Sequence, residues 1–341
     1  MEYRIVQRTY RLQSRIDAFR EGQNLYTYCL ERSCCLLRGS GLLGMIVPAG
    51  ILCLDERRSL RNVLLKRFNQ HWASTYSTGP SQLFEGVDQR LSIYLSQGPG
   101  AAAATIWTTR YHHWHAAERP ALFATIEYSK SFNHTKLERI PQLGSAKAAS
   151  ILQKLEAQQQ KPAIEYYSSN KQGLLMHYHR SPRYWIRAMD FEQYFKSPTR
   201  SRSVHHFRDI YFADERHGKF VGALLNSTLF FFWFVSVGNG RNITGTDVEQ
   251  IPVGVVAPTV LSEAEEIFDR LMKDYREHSE IRGRKATDLQ VFRPSLSKTI
   301  LDEIDTLLAK HYGFTAEELD FILNYDIKYR LGRDAETARP A

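Results

Sequence analysis

The stretch that most limits the fold is GSGLLG at residues 39–44, taken with what flanks it. Its spacing, Gly-x-Gly-x-x-Gly, is that of a dinucleotide-binding turn. Such a turn needs a strand before the glycines and a helix after them, so that the helix N-terminus faces the phosphates. Here the order is reversed. Residues 22–38 (GQNLYTYCLERSCCLLR) place Tyr26, Leu30, Cys34 and Leu37 on one stripe, with Leu25, Cys29 and Leu36 beside it. That three-to-four spacing predicts an amphipathic helix, for which Gly39 reads as the C-cap. The apolar run LLGMIV at 42–47, closed by Pro48, predicts a strand buried on both faces. Residues 55–68 (DERRSLRNVLLKRF) predict a helix with acids at its start and bases at its end, as the helix dipole favours. The glycines therefore mark a helix-to-strand turn, and no nucleotide cradle is expected there.

Further along, LSIYL at 91–95 and TIWTTRY at 105–111 read as strands, and the loop SQGPGAAAA between them suggests a β-hairpin. From about 113 to 260 the pattern is irregular and rich in Tyr, Phe, His and Arg. A short helix is expected in SILQKLEAQQQKPAIEYY and another in VGALLNSTLFFFWFVSV at 221–237. The tail returns to helices at 262–278 and 297–313, the latter ending in Gly313. Thr315 and Glu318 then stand at the spacing of a capping box.

Net charge and cysteine usage narrow the function classes. The chain has 341 residues, with 45 Lys and Arg against 37 Asp and Glu, a formal charge of +8. That surplus favours a polyanionic partner. The four cysteines (Cys29, Cys34, Cys35, Cys53) form no Cys-x-x-Cys pair, which argues against a disulfide framework or zinc knuckle and fits a reducing cytoplasm. Cys34 and Cys35 read as inert, at least one of them packed in the core. The run at 221–237 is short for a membrane span and carries Asn226, Ser227 and Thr228 in its middle, so it reads as a buried core helix. No Gly-x-Ser-x-Gly elbow or phosphate loop is present. The histidines of YHHWH at 111–115 and of His205-His206 invite a metal reading. Yet His112 and His113 would point to opposite faces of a strand, and no metal site is expected.

The segment NLYTYCLERSCCLLRGSGLLGMIVPAGILCLDERRSLRNVLL resembles a stretch of the adenine-N6 DNA methyltransferases of restriction–modification and phage-defence systems. SQLFEGVDQRLSIYL is similar to that family's later motif, a Leu-Phe or Val-Phe pair before a strand. IDTLLAKHYGFTAEELDFILNYDIKYR resembles the tail of its large single-chain, type IIG-like members, and GALLNSTLFFFWF with TGTDVEQIPV matches their recognition region loosely. The resemblance is specific at 24–65 and 301–330 and diffuse between 113 and 220. It implies a base-stacking role for Phe84, from the loop before the penultimate strand. Enzymes that act on a base inside a duplex extrude it, and an aromatic face can hold it. From the residues alone, Phe84 reads first as an ordinary core phenylalanine capping a sheet edge. The family's chemistry also needs a Phe-x-Gly-x-Gly-type loop for S-adenosylmethionine and an Asn-Pro-Pro-Tyr or Asp-Pro-Pro-Tyr tetrad. No two prolines are adjacent in this sequence, and about 23 residues precede the first matching helix. The cofactor is therefore expected only through a missing or partner half, and methyl transfer is not expected of this chain alone.

The stretch 177–219 carries nine Lys and Arg against five acids, with aromatics interleaved. Cations neutralise phosphates while arginine forks reach bases, so Arg180, Arg183, Lys196, Arg200, Arg202 and Arg208 are the candidate DNA contacts, a solvated charge run being the plainer alternative. The expected architecture is α/β. Residues 1–112 would be the C-terminal part of a Rossmann-like methyltransferase sheet, 113–258 an α+β target-recognition region, and 259–341 a helical tail. The expected function is the DNA-recognition and base-stacking portion of an adenine-N6 methyltransferase, with double-stranded DNA and a cofactor-bearing protein as partners and no membrane. The alternatives are a non-enzymatic, sequence-specific DNA-binding module of a defence complex, or a truncated remnant. An exposed half-sheet would also make the chain prone to associate.

Overall fold

The computed structural model describes residues 24–38, 41–98, 103–134, 136–199, 207–284 and 286–331. The chain divides into two units, Met1–Ala149 with Val235–Asn239, and Ser150–Phe234 with Gly240–Ala341.

The first unit begins with α1 (Leu25–Leu36), which stops where Leu37 turns extended at φ −76° and ψ 139°. The helix thus ends earlier than expected, and Gly39 lies outside the described residues. α1 buries Thr27, Tyr28, Leu30, Glu31 and Cys34, while the expected flank of Leu25, Cys29 and Leu36 is exposed. The cause is packing. α1 rests on β1 (Leu42–Pro48) and on α3 (Arg58–Arg67), and β1 is the last strand of its sheet, so the far flank meets nothing among the described residues. Between β1 and α3 lie the short α2 (Gly50–Cys53) and a 3-10 turn at Asp55–Arg57, so the helix expected at 55–68 starts later.

Four more strands complete the sheet: β2 (Gln70–Tyr76), β3 (Leu91–Gln97), β4 (Thr105–His112) and β5 (Ser129–Ser131), in the order β1-β3-β2-β4-β5. β3 runs antiparallel to both neighbours, whereas β2 and β4 are parallel. The hairpin expected from β3 and β4 is therefore not formed, because β2 inserts between them. One face of the sheet carries a core of Leu30, Leu43, Val47, Leu60, Leu64, Phe68, Tyr94 and Ile106, each large aliphatic contributing about 1.5–3 kcal/mol on burial. The other face is open at β1, where Leu42 is 66% and Ile46 48% exposed. The strand expected to be buried on both faces is buried on one, because it stands at an edge. Buried Arg61 of α3 ties the unit together through the carbonyls of Ile51, Leu54 and Glu138.

The second unit is α+β. α4 (Ala146–Glu156) leads in from the first unit. β6 (Leu174–His179), β7 (Ala188–Met189) and β9 (Phe207–Phe212) form one three-stranded sheet, β7-β6-β9. β8 (Phe195–Lys196) joins a hairpin of β10 (Ser279–Arg284) and β11 (Thr287–Phe292), so the tail expected to be helical contains strands as well. The apolar run at 221–237 is not one helix. It forms the end of α5 (Glu215–Asn226) and all of α6 (Thr228–Val237), which meet at 66°. Ser227 makes the break, its hydroxyl donating to the Leu224 carbonyl at 2.6 Å and accepting from the Phe230 N–H at 3.0 Å. Both helices are buried there, and no single helix among the described residues is long and apolar enough to cross a membrane.

α7 (Gly245–Glu249) starts on a capping box made by Thr244 and Asp247, and α8 (Pro258–Glu277) packs against α5 and α9 (Lys298–Tyr312). Gly313 ends α9 at φ 68°, a left-handed conformation that glycine adopts without steric cost. α10 (Ala316–Leu323) carries the expected Thr315–Glu318 capping box, and α11 (Ile327–Arg330) closes the described chain. Buried Arg330 lies 4.0 Å over the Trp185 ring and donates to Thr228 Oγ1 at 3.0 Å.

Candidate nucleic-acid interface

Phe84 stands in the loop between β2 and β3, at the carboxyl end of the parallel strands, where α/β sheets bind ligands. A tight turn holds it: the Val87 N–H donates to the Phe84 carbonyl at 3.2 Å, and Gly86 takes φ 73° with open space around it. Phe84 is 44% exposed. Its neighbour Leu83 is buried with Tyr76, Leu91, Trp114 and Leu122. Arg119, from the 3-10 turn Ala116–Ala121, clamps the loop by donating to the carbonyls of Gln82 at 3.1 Å and Leu83 at 2.8 Å. An exposed ring on a loop fixed from behind can stack on a flat partner with little loss of freedom.

Behind this loop lies an aromatic cluster that the sequence did not reveal. Tyr76, at the end of β2, stacks on His112 with ring centroids 5.5 Å apart and meets Trp114 edge-on at 5.9 Å. Burial holds His112 neutral, lowering its pKa to about 4 with help from Arg110, and lowers that of His113 to about 3. His112 and His113 are thus engaged with Tyr76 and Tyr111 respectively. His205 and His206 lie outside the described residues.

Of the glycine turn, Gly41 and Gly44 lie among the described residues. A Cβ on Gly41 would come 3.0 Å from Leu37, and one on Gly44 would come 3.0 Å from Leu95. These glycines serve close packing within the chain, and the element that follows them is β1 rather than a helix.

In the second unit, Arg180 follows β6 and Arg208 is the second residue of β9, where it pairs in register with Tyr178. Arg183 is exposed on the turn after β6, and Lys196 lies in β8 opposite Asp288, in the other small sheet. None of these four makes an ion pair among the described residues. Arg200 and Arg202 lie outside the described residues. Two further cations of the same stretch are already neutralised: Arg216 pairs with Glu265 at 3.4 Å, and Lys219 is ringed by Glu215, Glu265 and Asp269. Two arginines that the sequence did not single out are ordered by aromatic rings. Arg187 lies 5.9 Å from the Phe207 ring and 5.7 Å from the Phe292 ring, and burial lowers its pKa to about 10. Arg276 lies 3.8 Å over Phe191 and pairs with Asp190 at 3.6 Å.

No family model and no curated protein matches the sequence. Among solved structures, the chain is similar to an ATP-dependent Type ISP restriction-modification enzyme, LlaBIII, bound to DNA. The TM-score is 0.34 at 9% identity, over 76% of this chain and 27% of that one. It is also similar to a DrdV-DNA complex, with a TM-score of 0.37 at 9% identity over 76% and 40%. A third is the type IIG restriction endonuclease BpuSI, with a TM-score of 0.30 at 10% identity over 98% and 52%. The chain spans between about a quarter and a half of the length of these structures. Likeness of this degree does not define a shared fold.

Proposed function

We propose that this chain is the DNA-recognition and base-stacking portion of a site-specific adenine-N6 DNA methyltransferase of a restriction–modification or phage-defence system. The observation that carries the reading is Phe84: an exposed aromatic in an LFEGV loop, held by Arg119 at the carboxyl end of parallel strands. An extrahelical adenine offers a flat face to such a ring. Arg180, Arg183, Lys196 and Arg208, none of which makes an ion pair among the described residues, would grip the duplex, joined by Arg200 and Arg202 of the same stretch. S-adenosylmethionine and the Pro-Pro tetrad would come from a partner, since no two prolines are adjacent in this sequence.

The same absence of a Pro-Pro pair favours a second reading, a sequence-specific DNA-binding module with no catalytic role. Selection of purified chain against a random duplex library at near-physiological salt tests what the two readings share. An enriched motif supports recognition by this chain, and a bound pool with no motif, or no binding, counts against both. Methylation of that motif by the chain mixed with a tetrad-bearing partner, and its loss with Phe84→Ala, separates enzyme from module.

A further inference from the structure

Phe84 is matched by a second exposed ring on the neighbouring loop. Phe123 follows buried Leu122 as Phe84 follows buried Leu83, and Leu83 and Leu122 belong to one cluster. Phe123 is 57% exposed. The two loops are joined by Arg119, four residues before Phe123, through its bonds to Gln82 and Leu83. Phe123 is also anchored from behind, meeting Tyr76 edge-on at a centroid distance of 5.9 Å and an interplanar angle of 66°.

Two large rings kept in water on adjoining fixed loops form a surface that asks for a partner. The cluster beneath them says of what kind. Trp114 Nε1 and His112 Nε2 are buried and have no hydrogen-bond partner among the described residues. Both ring systems touch Tyr76, the residue on which Phe123 rests. Two flat apolar faces set over this aromatic cluster suit a planar heteroaromatic partner, and a nucleobase is one that stacks on such rings.

We propose that Phe123 is a second aromatic contact for a base swung out of a duplex, acting with Phe84 from the two loops that Arg119 joins. The inference rests on the base-stacking reading of Phe84. It adds a residue that would hold the base where the chain has no tetrad tyrosine of its own.

The test compares two duplexes that differ only at one 2-aminopurine, paired with thymine in one and set opposite an abasic site in the other. Affinity is read by anisotropy of an end label, using the full chain. An unpaired base costs little to extrude, so wild type should prefer the abasic duplex by about tenfold. Phe123→Ala should reduce that preference at least fivefold, as should Phe84→Ala, each losing more affinity for the abasic duplex than for the paired one. Phe123→Tyr should keep it. Retention of the preference by Phe123→Ala while Phe84→Ala loses it overturns the proposal and leaves the Phe84 reading standing. No preference in wild type overturns both. Loss of paired-duplex affinity in Phe123→Ala equal to its loss on the abasic duplex also overturns the proposal, since it marks a general DNA contact or a damaged fold.

Discussion

Arg119 donates to the Leu83 carbonyl at 2.8 Å, fixing the backbone one residue before the exposed Phe84 ring. With the second bond to Gln82, this is a two-point clamp between loops 36 and 37 residues apart in sequence. A hydrogen bond from a charged donor contributes about 1.5–3 kcal/mol where it is shielded and less where water competes. Arg119→Ala is expected to speed amide exchange across 82–88 about tenfold, while the thermal midpoint moves by less than about 2 °C. Exchange measured by mass spectrometry checks it. Unchanged protection of that loop would show that the Leu83 side chain alone holds it.

Asp305 should give the second unit a pH dependence. Its carboxylate accepts from the Thr228 and Leu229 N–H groups at 3.1 and 3.0 Å, at the start of α6. Burial nevertheless raises its pKa from 3.8 to about 6, against the lowering effect of those donors and of Arg330. A carboxyl with a raised folded pKa binds protons more tightly in the folded state. Its contribution is therefore full below about 3.8 and is lost as pH rises through about 6. At roughly 1.4 kcal/mol per pKa unit, the loss is on the order of 3 kcal/mol. Asp305→Asn keeps one acceptor and removes the titration. Its denaturant midpoint should stay flatter than wild type between pH 4 and 6, and parallel profiles would refute the assignment.

What the sequence made legible was local. Gly313 as a cap and the Thr315–Glu318 box depend on residues three or four apart, and both stand as expected. β2 went unseen for a physical reason. Its buried residues include His71, Ser74 and Thr75, whose polar groups are met by Tyr94 and Ser92 of β3 and by Phe68 and Tyr76 nearby in the chain. Hydrophobic alternation cannot mark a strand whose buried face is polar and hydrogen-bonded within the fold. Missing β2 made β3 and β4 look like partners. The same limit applies to the candidate site. Phe84 carried its own flanking motif, whereas Arg119 and Phe123 gain meaning only from contacts the fold creates.

The packing of α5 depends on having no side chain at Gly222. A Cβ there would lie 2.6 Å from Met176 Cε and 2.7 Å from the Phe268 ring, so β6 and α8 both approach the helix at that point. Met176 can bend away, but the phenylalanine ring is buried and cannot. Gly222→Ala gains helix propensity worth about 1 kcal/mol yet overpacks by about 1–3 kcal/mol. A net fall of a few degrees in melting temperature is expected by calorimetry. A rise would mean that the Phe268 ring has room to move.

The open edge of the first unit predicts association. Among the described residues β1 has one strand neighbour, and Leu42 and Ile46 present apolar side chains beside its unpaired backbone. Edges of this kind pair with other chains unless charge prevents it. Ile46→Lys, on the exposed face, should lower the weight-average mass seen by sedimentation at high concentration without changing the melting temperature. An unchanged distribution would place any association elsewhere.

The basic stretch offers a contrast within one protein. Arg180 and Arg208 make no ion pair among the described residues, so each can displace a counterion from a phosphate, whereas Arg216 is held by Glu265 at 3.4 Å. On B-DNA each phosphate contact contributes a slope of about 0.9 in log affinity against log salt. Arg208→Ala should lower the measured slope by about one and the Arg180→Ala/Arg208→Ala pair by about two. Arg216→Ala should leave it unchanged, because that guanidinium is already neutralised by the fold. Titrations from 50 to 200 mM salt with a fixed duplex, a range in which several contacts change affinity by about a thousandfold or more, would resolve these steps. Equal effects at Arg208 and Arg216 would mean that the contact surface follows overall charge rather than the arginines left unpaired.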